Sequence, residues 1–302
     1  MEPLRRRVTL PGPIDLVRTV RRLSLWKHDP SLRRHEGRMW CAFRTDAGPA
    51  TIAYQPAGAD AVDCEAWGPG AERALDLAFE HLGGRDAPEA FETDDPVVAP
   101  LIRRFEGLRF GRTGRMLERL LPTIVSQKVT GAGAARSWKQ ILRRHGELAP
   151  GPSPELWIDP TPDSLRELAY YDLHTYGIER KRAQVILDVV RRARRVEALT
   201  REVPSEAETR LLAFKGIGPW TTGTVLSGVF GDPDAVPVGD YHIPNTVTYA
   251  FTGEPRGDDA RMLELLEPFR PHRGRVITLL MFGGHSAPRY GPRMPVRNIR
   301  RH

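Results

Sequence analysis

Cysteine is nearly absent from this chain: Cys41 and Cys64 are the only two in 302 residues. Neither sits in a CxxC pair and no His/Cys cluster accompanies them. That excludes a zinc finger and a four-cysteine iron–sulfur cluster. Both lie in strand-like stretches and read as small buried residues of a reducing compartment rather than a disulfide. No run approaches the roughly 18 apolar residues of a membrane span, so no membrane partner is expected. The opening MEPLRRRVTL has arginines but no apolar segment, and a secretory signal is not expected. Lysine is scarce beside arginine, and the net charge is +7. A basic chain suits a polyanion partner, although an arginine-favouring codon bias would give the same balance.

What is present is ample core. The chain is 40% apolar and 27% charged, enough for two domains or one large one. The pattern changes near residue 95. Before it, Met39–Thr45, Ala50–Tyr54 and Ala61–Trp67 alternate like strands, and Pro13–Leu23 and Glu72–Leu82 have helical spacing. Residues 1–95 therefore predict an α+β unit, an antiparallel sheet backed by helices. Residues 96–287 predict an all-helical region, with helices over Pro100–Phe110, Arg115–Lys128, Gly133–His145, Ser164–Tyr170, Glu179–Arg195 and Asp258–Phe269. The proline-rich stretch Pro150–Pro162 reads as a loop. Residues 288–302 read as a basic, extended or disordered tail. The arginines around Arg180–Arg182 and Arg191–Arg195 flank an apolar stripe and read mainly as a solvated face.

The densest signal is LLAFKGIGPWTTGTVLSGVFGDPDAVPVGD, Leu211–Asp240. Ser205 with Glu208 three residues on forms a capping-box pattern for a first helix. Gly216 and Gly218 permit positive φ and close backbone approach. Pro219 suits the first turn of a second helix, which runs through Trp220 to Phe230. Two helices joined by a tight GxG turn leave free N–H groups at the second helix's start, where an anion such as a nucleic-acid phosphate can bind. An ordinary helix corner would also use these glycines. Asp240 follows at a helix start; a plain N-cap is its bland role.

FKGIGPWT followed by VGDYHI resembles the helix-hairpin-helix and catalytic aspartate of the DNA glycosylase superfamily, and within it the 3-methyladenine DNA glycosylase II family. LPTIVSQKVT, Leu121–Thr130, and the helix after it extend the resemblance, which covers roughly residues 100–285. The family implies a TATA-binding-protein-like N-terminal half. It implies Asp240 as the catalytic carboxylate beside the sugar C1′, stabilising an oxocarbenium-like transition state and activating water. Bifunctional members carry a lysine nucleophile two residues after the second glycine. Here that position is Trp220, so a monofunctional enzyme is expected, releasing alkylated purines such as 3-methyladenine and 7-methylguanine. Trp220, Thr224, Met281 and Phe282 are the expected base pocket; Thr224 departs from an expected aromatic. Gln127, Lys128, Lys215, Gly216, Gly218 and Thr221 are the expected DNA contacts. Lys128 departs from the bulky apolar wedge of the family. Carbonyls of Leu212, Phe214 and Ile217 would hold a structural Na⁺ or K⁺; no other cofactor is expected. His242 lies two residues after Asp240 and could tune it or contact DNA, with a surface or core role as the alternative; His174, His272 and His285 show no metal spacing. The implied partner is double-stranded DNA with a damaged base, and the implied setting a monomer in a bacterial cytoplasm, at the nucleoid. Two alternatives stand: a glycosylase for oxidised or deaminated purines, and a non-catalytic helix-hairpin-helix DNA-binding protein.

Overall fold

The computed structural model describes residues 2–152 and 154–288. The basic tail beyond Pro288 lies outside the described residues. Five strands form one antiparallel sheet: β1 (Leu4–Thr9), β2 (Leu32–His35), β3 (Arg38–Thr45), β4 (Gly48–Pro56) and β5 (Ala61–Trp67), in the order β1-β5-β4-β3-β2. The three central strands are those that apolar alternation predicts. The two edges, LRRRVT and LRRH, lack alternation because each buries a single residue, Val8 or Leu32. Arginine-rich edges discourage pairing with another chain.

Helices α1 (Leu16–Arg21) and α2 (Ala71–His81) supply the apolar side chains for one sheet face. Met39, Phe43, Ile52, Tyr54 and Val62 meet Leu16, Val20, Leu75 and Ala78 in that core. Cys41 and Cys64 lie in it too, free, with burial pushing both thiols up to about 12. On the opposite face Trp40 stacks on Trp67 with centroids 5.3 Å apart. Leu156 and Ile158 cover them. Ile158 belongs to a two-stranded ribbon, β6 (Glu147–Leu148) with β7 (Trp157–Ile158), and Leu156 lies just before it. The proline-rich stretch is thus no simple loop: it folds back and completes the sheet's second layer.

The rest is helical: α3 (Val98–Arg104), α4 (Met116–Val125), α5 (Gly131–His145), α6 (Pro162–Arg166), α7 (Tyr170–His174), α8 (Arg180–Arg191), α9 (Ala193–Ala198), α10 (Pro204–Leu212), α11 (Pro219–Val229), α12 (Ile243–Thr252), α13 (Asp259–Leu266) and α14 (Arg273–Gly283). Several differ from expectation. Helix α3 stops at Arg104, and Gly107 turns the chain at φ +78°. The non-helical segment after it carries Arg109 inward. Arg109 is 1% exposed and donates to the carbonyls of Pro13, Gly83 and Asp86. Helix α4 stops three residues before Lys128, which takes φ +55°. Arg182 is not on a solvated face: it is buried and donates to the Val125 carbonyl at 2.6 Å, at the end of α4.

The helices enclose two apolar cores. One gathers α4, α5, α8, α10 and α11; the other gathers α3, α12, α13 and α14 with Phe91. A buried polar chain links the sheet unit to α4. Arg115 donates to His81 Nε2 at 2.9 Å, and its guanidinium forks onto Glu118. Because Nε2 must accept, the His81 proton is on Nδ1, which donates to Tyr54 Oη at 2.7 Å. Among the described residues no helix is long and apolar enough to cross a membrane.

Candidate active site and nucleic-acid interface

The hairpin begins two residues earlier than the capping-box pattern suggests. Pro204 opens α10 after Val203, so Ser205 is inside the helix and caps nothing. Glu208 instead accepts from Thr222 Oγ1 at 2.9 Å, joining α10 to α11. The two glycines play different parts. Gly216 has φ +92°, and a Cβ there would lie 2.5 Å from Val185 Cγ2 on α8. Gly218 is extended, at φ −123°, and a Cβ on it would meet nothing within 4 Å. The fold needs the first glycine and does not need the second. Pro219 has no N–H, and the Thr221 and Thr222 amides return to the Gly218 carbonyl at 2.9 and 3.0 Å.

Gln127 crosses to this turn. Its Nε2 donates to the Gly216 carbonyl and to Thr221 Oγ1, both at 2.9 Å. Thr221 is buried and Gln127 partly so; Lys128, next to it, is exposed in its left-handed conformation. Lys215 is exposed on the turn. The Phe214 carbonyl accepts the Ile217 amide at 3.0 Å. It keeps a second lone pair, so a carbonyl set of Leu212, Phe214 and Ile217 is chemically suited to a hard alkali cation.

Behind the turn, α11 carries Trp220 in its first turn. From the far end of α11 the chain runs back along it. The packing is close: a Cβ on Gly223 would lie 2.8 Å from Pro237 Cα. This return segment delivers Asp240 to Trp220. The indole Nε1 donates to Asp240 Oδ2 at 2.9 Å. Asp240 Oδ1 accepts the amides of His242 and Ile243 at 2.7 and 2.9 Å, capping α12. One oxygen of the carboxylate thus caps the helix while the other faces the indole. Asp240 and Trp220 are both half-buried, so the pair is reachable from solvent.

The remaining expected pocket residues are less closely gathered. Thr224 donates its hydroxyl to the Trp220 carbonyl at 2.8 Å, one turn back. Met281 and Phe282 end α14, 59% and 36% exposed. Phe282 lies against Phe105, centroids 6.1 Å apart, at the end of α14 beside α3. No role for Tyr241, Asn245 or Asp259 follows from the sequence. Tyr241 is 75% exposed beside the carboxylate. Asn245 and Asp259 hold the backbone around it, through contacts between segments that spacing cannot reveal.

Comparison with known proteins bears on the fold and on sequence relationship. No family model matches the chain. It is 25% identical over 181 residues to a DNA-3-methyladenine glycosylase of Bacillus subtilis, covering 58% of this chain and 59% of that protein. It is 24% identical over 157 residues to a putative DNA-3-methyladenine glycosylase of the same organism, covering 51% and 53%. The chain thus aligns with less than two thirds of the length of either relative. Among solved structures, a 3-methyladenine DNA glycosylase from Archaeoglobus fulgidus superposes with a TM-score of 0.77 at 20% identity, over 92% of this chain and 98% of that one. A Clostridium acetobutylicum 8-oxoguanine glycosylase/lyase, bound to double-stranded DNA, gives 0.71 at 16% identity, over 94% and 98%. The fold is that of the helix-hairpin-helix DNA glycosylases. In sequence the chain is related to the DNA-3-methyladenine glycosylases.

Proposed function

We propose that this protein is a monofunctional DNA glycosylase that extrudes an alkylated purine nucleotide from duplex DNA and hydrolyses its N-glycosidic bond, in base excision repair. The observation that carries the reading is the Trp220–Asp240 pair held directly behind the hairpin turn. Bond breaking leaves positive charge on the sugar, and a fixed carboxylate beside C1′ stabilises it and orients water. Purines alkylated on a ring nitrogen are already cationic and leave without a proton. A tryptophan stands where a lysine nucleophile would form a Schiff base, so water is the nucleophile.

In this reading the hairpin binds a backbone phosphate through Gly218, with Lys215 and Lys128 beside it. Leu212, Phe214 and Ile217 carbonyls would hold a monovalent cation, which would add positive charge next to that phosphate. The sheet unit corresponds to the TATA-binding-protein-like half of the family, residues 1–95, ahead of a helical catalytic region over 96–287. The protein acts as a monomer on nucleoid DNA. The test is release of free methylpurines from alkylated duplex by the purified chain; no release of any base, with normal duplex binding, would favour a non-catalytic binding protein.

A second reading is excision of oxidised purines, favoured by the fold similarity to an 8-oxoguanine glycosylase/lyase. Trp220 at the lysine position supports the first.

A further inference from the structure

The Asp240 side chain is anchored at both oxygens, but those anchors act only if its backbone is held as well. That backbone is unusual. Gly239, just before it, has φ +93°. The segment has local bonds from Val238 N to the Val236 carbonyl at 3.0 Å and from Asp240 N to the Pro237 carbonyl at 3.2 Å. Local turns of this kind fix shape but not position.

Position comes from elsewhere. The Gly239 amide donates to Asp259 Oδ1 at 2.9 Å, reaching the first residue of α13. Asn245, in the first turn of α12, makes a second link. Its Nδ2 donates to the Tyr241 carbonyl at 3.3 Å, and its Oδ1 accepts the Gly257 amide at 3.1 Å. Gly257 itself is pressed against Thr248, with no room for a Cβ. The stretch Gly257–Asp259 therefore braces the Asp240 loop on both sides, at Gly239 and at Tyr241. Asp258 caps α13 through the Arg261 amide, so helix capping does not account for Asp259.

We propose that Asp259 is a positioning residue for the Asp240 carboxylate, with Asn245 as its accessory. The proposal rests on the reading of Asp240 above. Asp259 touches no reacting atom; it holds the Gly239 amide and so fixes where the carboxylate meets Trp220 and the sugar. Small displacements matter: a shift of about 1 Å at reacting groups can cost on the order of 10²-fold in rate.

The experiment compares Asp259→Ala with Asp259→Asn, alone and with Asp240→Asn, in the full chain. Asparagine keeps an oxygen acceptor and alanine does not. Two quantities are read. One is the single-turnover release rate from a 7-methylguanine duplex, with duplex Kd measured in parallel. The other needs no activity: the indole N–H resonance of Trp220 in ¹⁵N-labelled protein, assigned by Trp220→Phe. Asp259→Ala should lower the rate about tenfold with Kd unchanged, and should shift the indole resonance and speed its exchange with solvent. Asp259→Asn should restore both. In the Asp240→Asn background, Asp259→Ala should cost nothing further. An unchanged indole resonance in folded Asp259→Ala would overturn the proposal, whatever the substrate. A wild type that releases no methylpurine, with the indole shift still present, would overturn the functional reading and leave the brace standing.

Discussion

The Trp220 indole N–H and the Asp240 carboxylate meet at 2.9 Å, and the second carboxylate oxygen is pinned by the His242 and Ile243 amides at the start of α12. Rotation of the carboxylate would break at least one of three hydrogen bonds. A group restrained in this way loses little on meeting developing charge, because it has no reorganisation left to do. The indole's polar edge thus orients the carboxylate. One free lone pair on Oδ2 and the reach from solvent are what an attacking water would need.

The first prediction removes the charge at Asp240, and with it the acceptor for the Trp220 indole N–H. Asp240→Asn keeps an oxygen to cap α12 and removes the negative charge. Single-turnover excision should fall on the order of 10²-fold or more, with duplex binding retained. A near wild-type rate would remove Asp240 from the chemistry.

The second concerns Trp220. Trp220→Phe keeps a ring and removes the donor. A hydrogen bond to a charged group contributes about 1.5–3 kcal/mol, so the rate should drop roughly 10- to 100-fold while Kd for duplex stays close. The wild-type product should be an intact abasic strand that breaks only with alkali. Borohydride trapping of a protein–DNA adduct would contradict the assignment of water as nucleophile.

Much of this site was legible because it is local. FKGIGPW fixes a turn between two helices by glycine and proline chemistry alone, and Asp240 lies near enough in sequence to be read with it. The central strands were legible for the same reason: period-two alternation over Met39–Thr45 needs no partner to be seen. What stayed hidden was held by distant contacts. The edge strands bury one residue each, so their pairing to β5 and β3, not their composition, makes them strands. Arg182 looked like part of a surface charge run, yet it is buried beneath α4. Gln127 is legible in the sequence only as an expected DNA contact. Both hydrogen bonds made by its amide nitrogen go to the hairpin, which only the packing of α4 on α11 could reveal. Asp259 gave no signal, since an acid in a first helical turn is commonplace.

A third prediction uses the unlike glycines. Gly218→Leu has open space and an extended backbone, so melting should be unchanged. Binding should weaken equally for damaged and undamaged duplexes, because phosphates carry no sequence. Gly216→Leu should instead lower stability, by about 1–3 kcal/mol for the left-handed backbone alone, with Val185 in the way besides. Unaltered duplex affinity in Gly218→Leu would make the turn a structural corner only.

The fourth concerns pH. His81 is fully buried, and burial followed by the Arg115 charge holds its pKa well below 6.5. The unfolded chain protonates this ring near pH 6.5 while the folded chain does not. Its contribution to stability is therefore complete above that pH and is lost as pH falls toward the folded value. The slope for one proton is at most about 1.4 kcal/mol per pH unit. His145 and His272 are lowered by burial too, so part of the slope remains without His81. Urea midpoints at pH 7.5 and 5.5 should converge in His81→Gln relative to the wild type. An equal pH drop in both proteins would mean that His81 does not titrate on unfolding.

The last prediction is lesion choice. Trp220 presents its ring beside Asp240, while Thr224 supplies no second aromatic wall and bonds its hydroxyl back to the helix. A pocket with one π face and one carboxylate favours cationic bases over neutral ones. One cation–π contact of about 0.5–2 kcal/mol corresponds to roughly 2- to 30-fold. With few rigid walls, shape should matter less than charge. Release of 3-methyladenine and 7-methylguanine from methylated duplex should therefore proceed at similar rates, within about an order of magnitude, and 8-oxoguanine should be a poor substrate. Chromatography of the released bases, beside an 8-oxoguanine duplex, measures this directly. Efficient 8-oxoguanine excision without methylpurine release would assign the Trp220–Asp240 pair to oxidised purines instead.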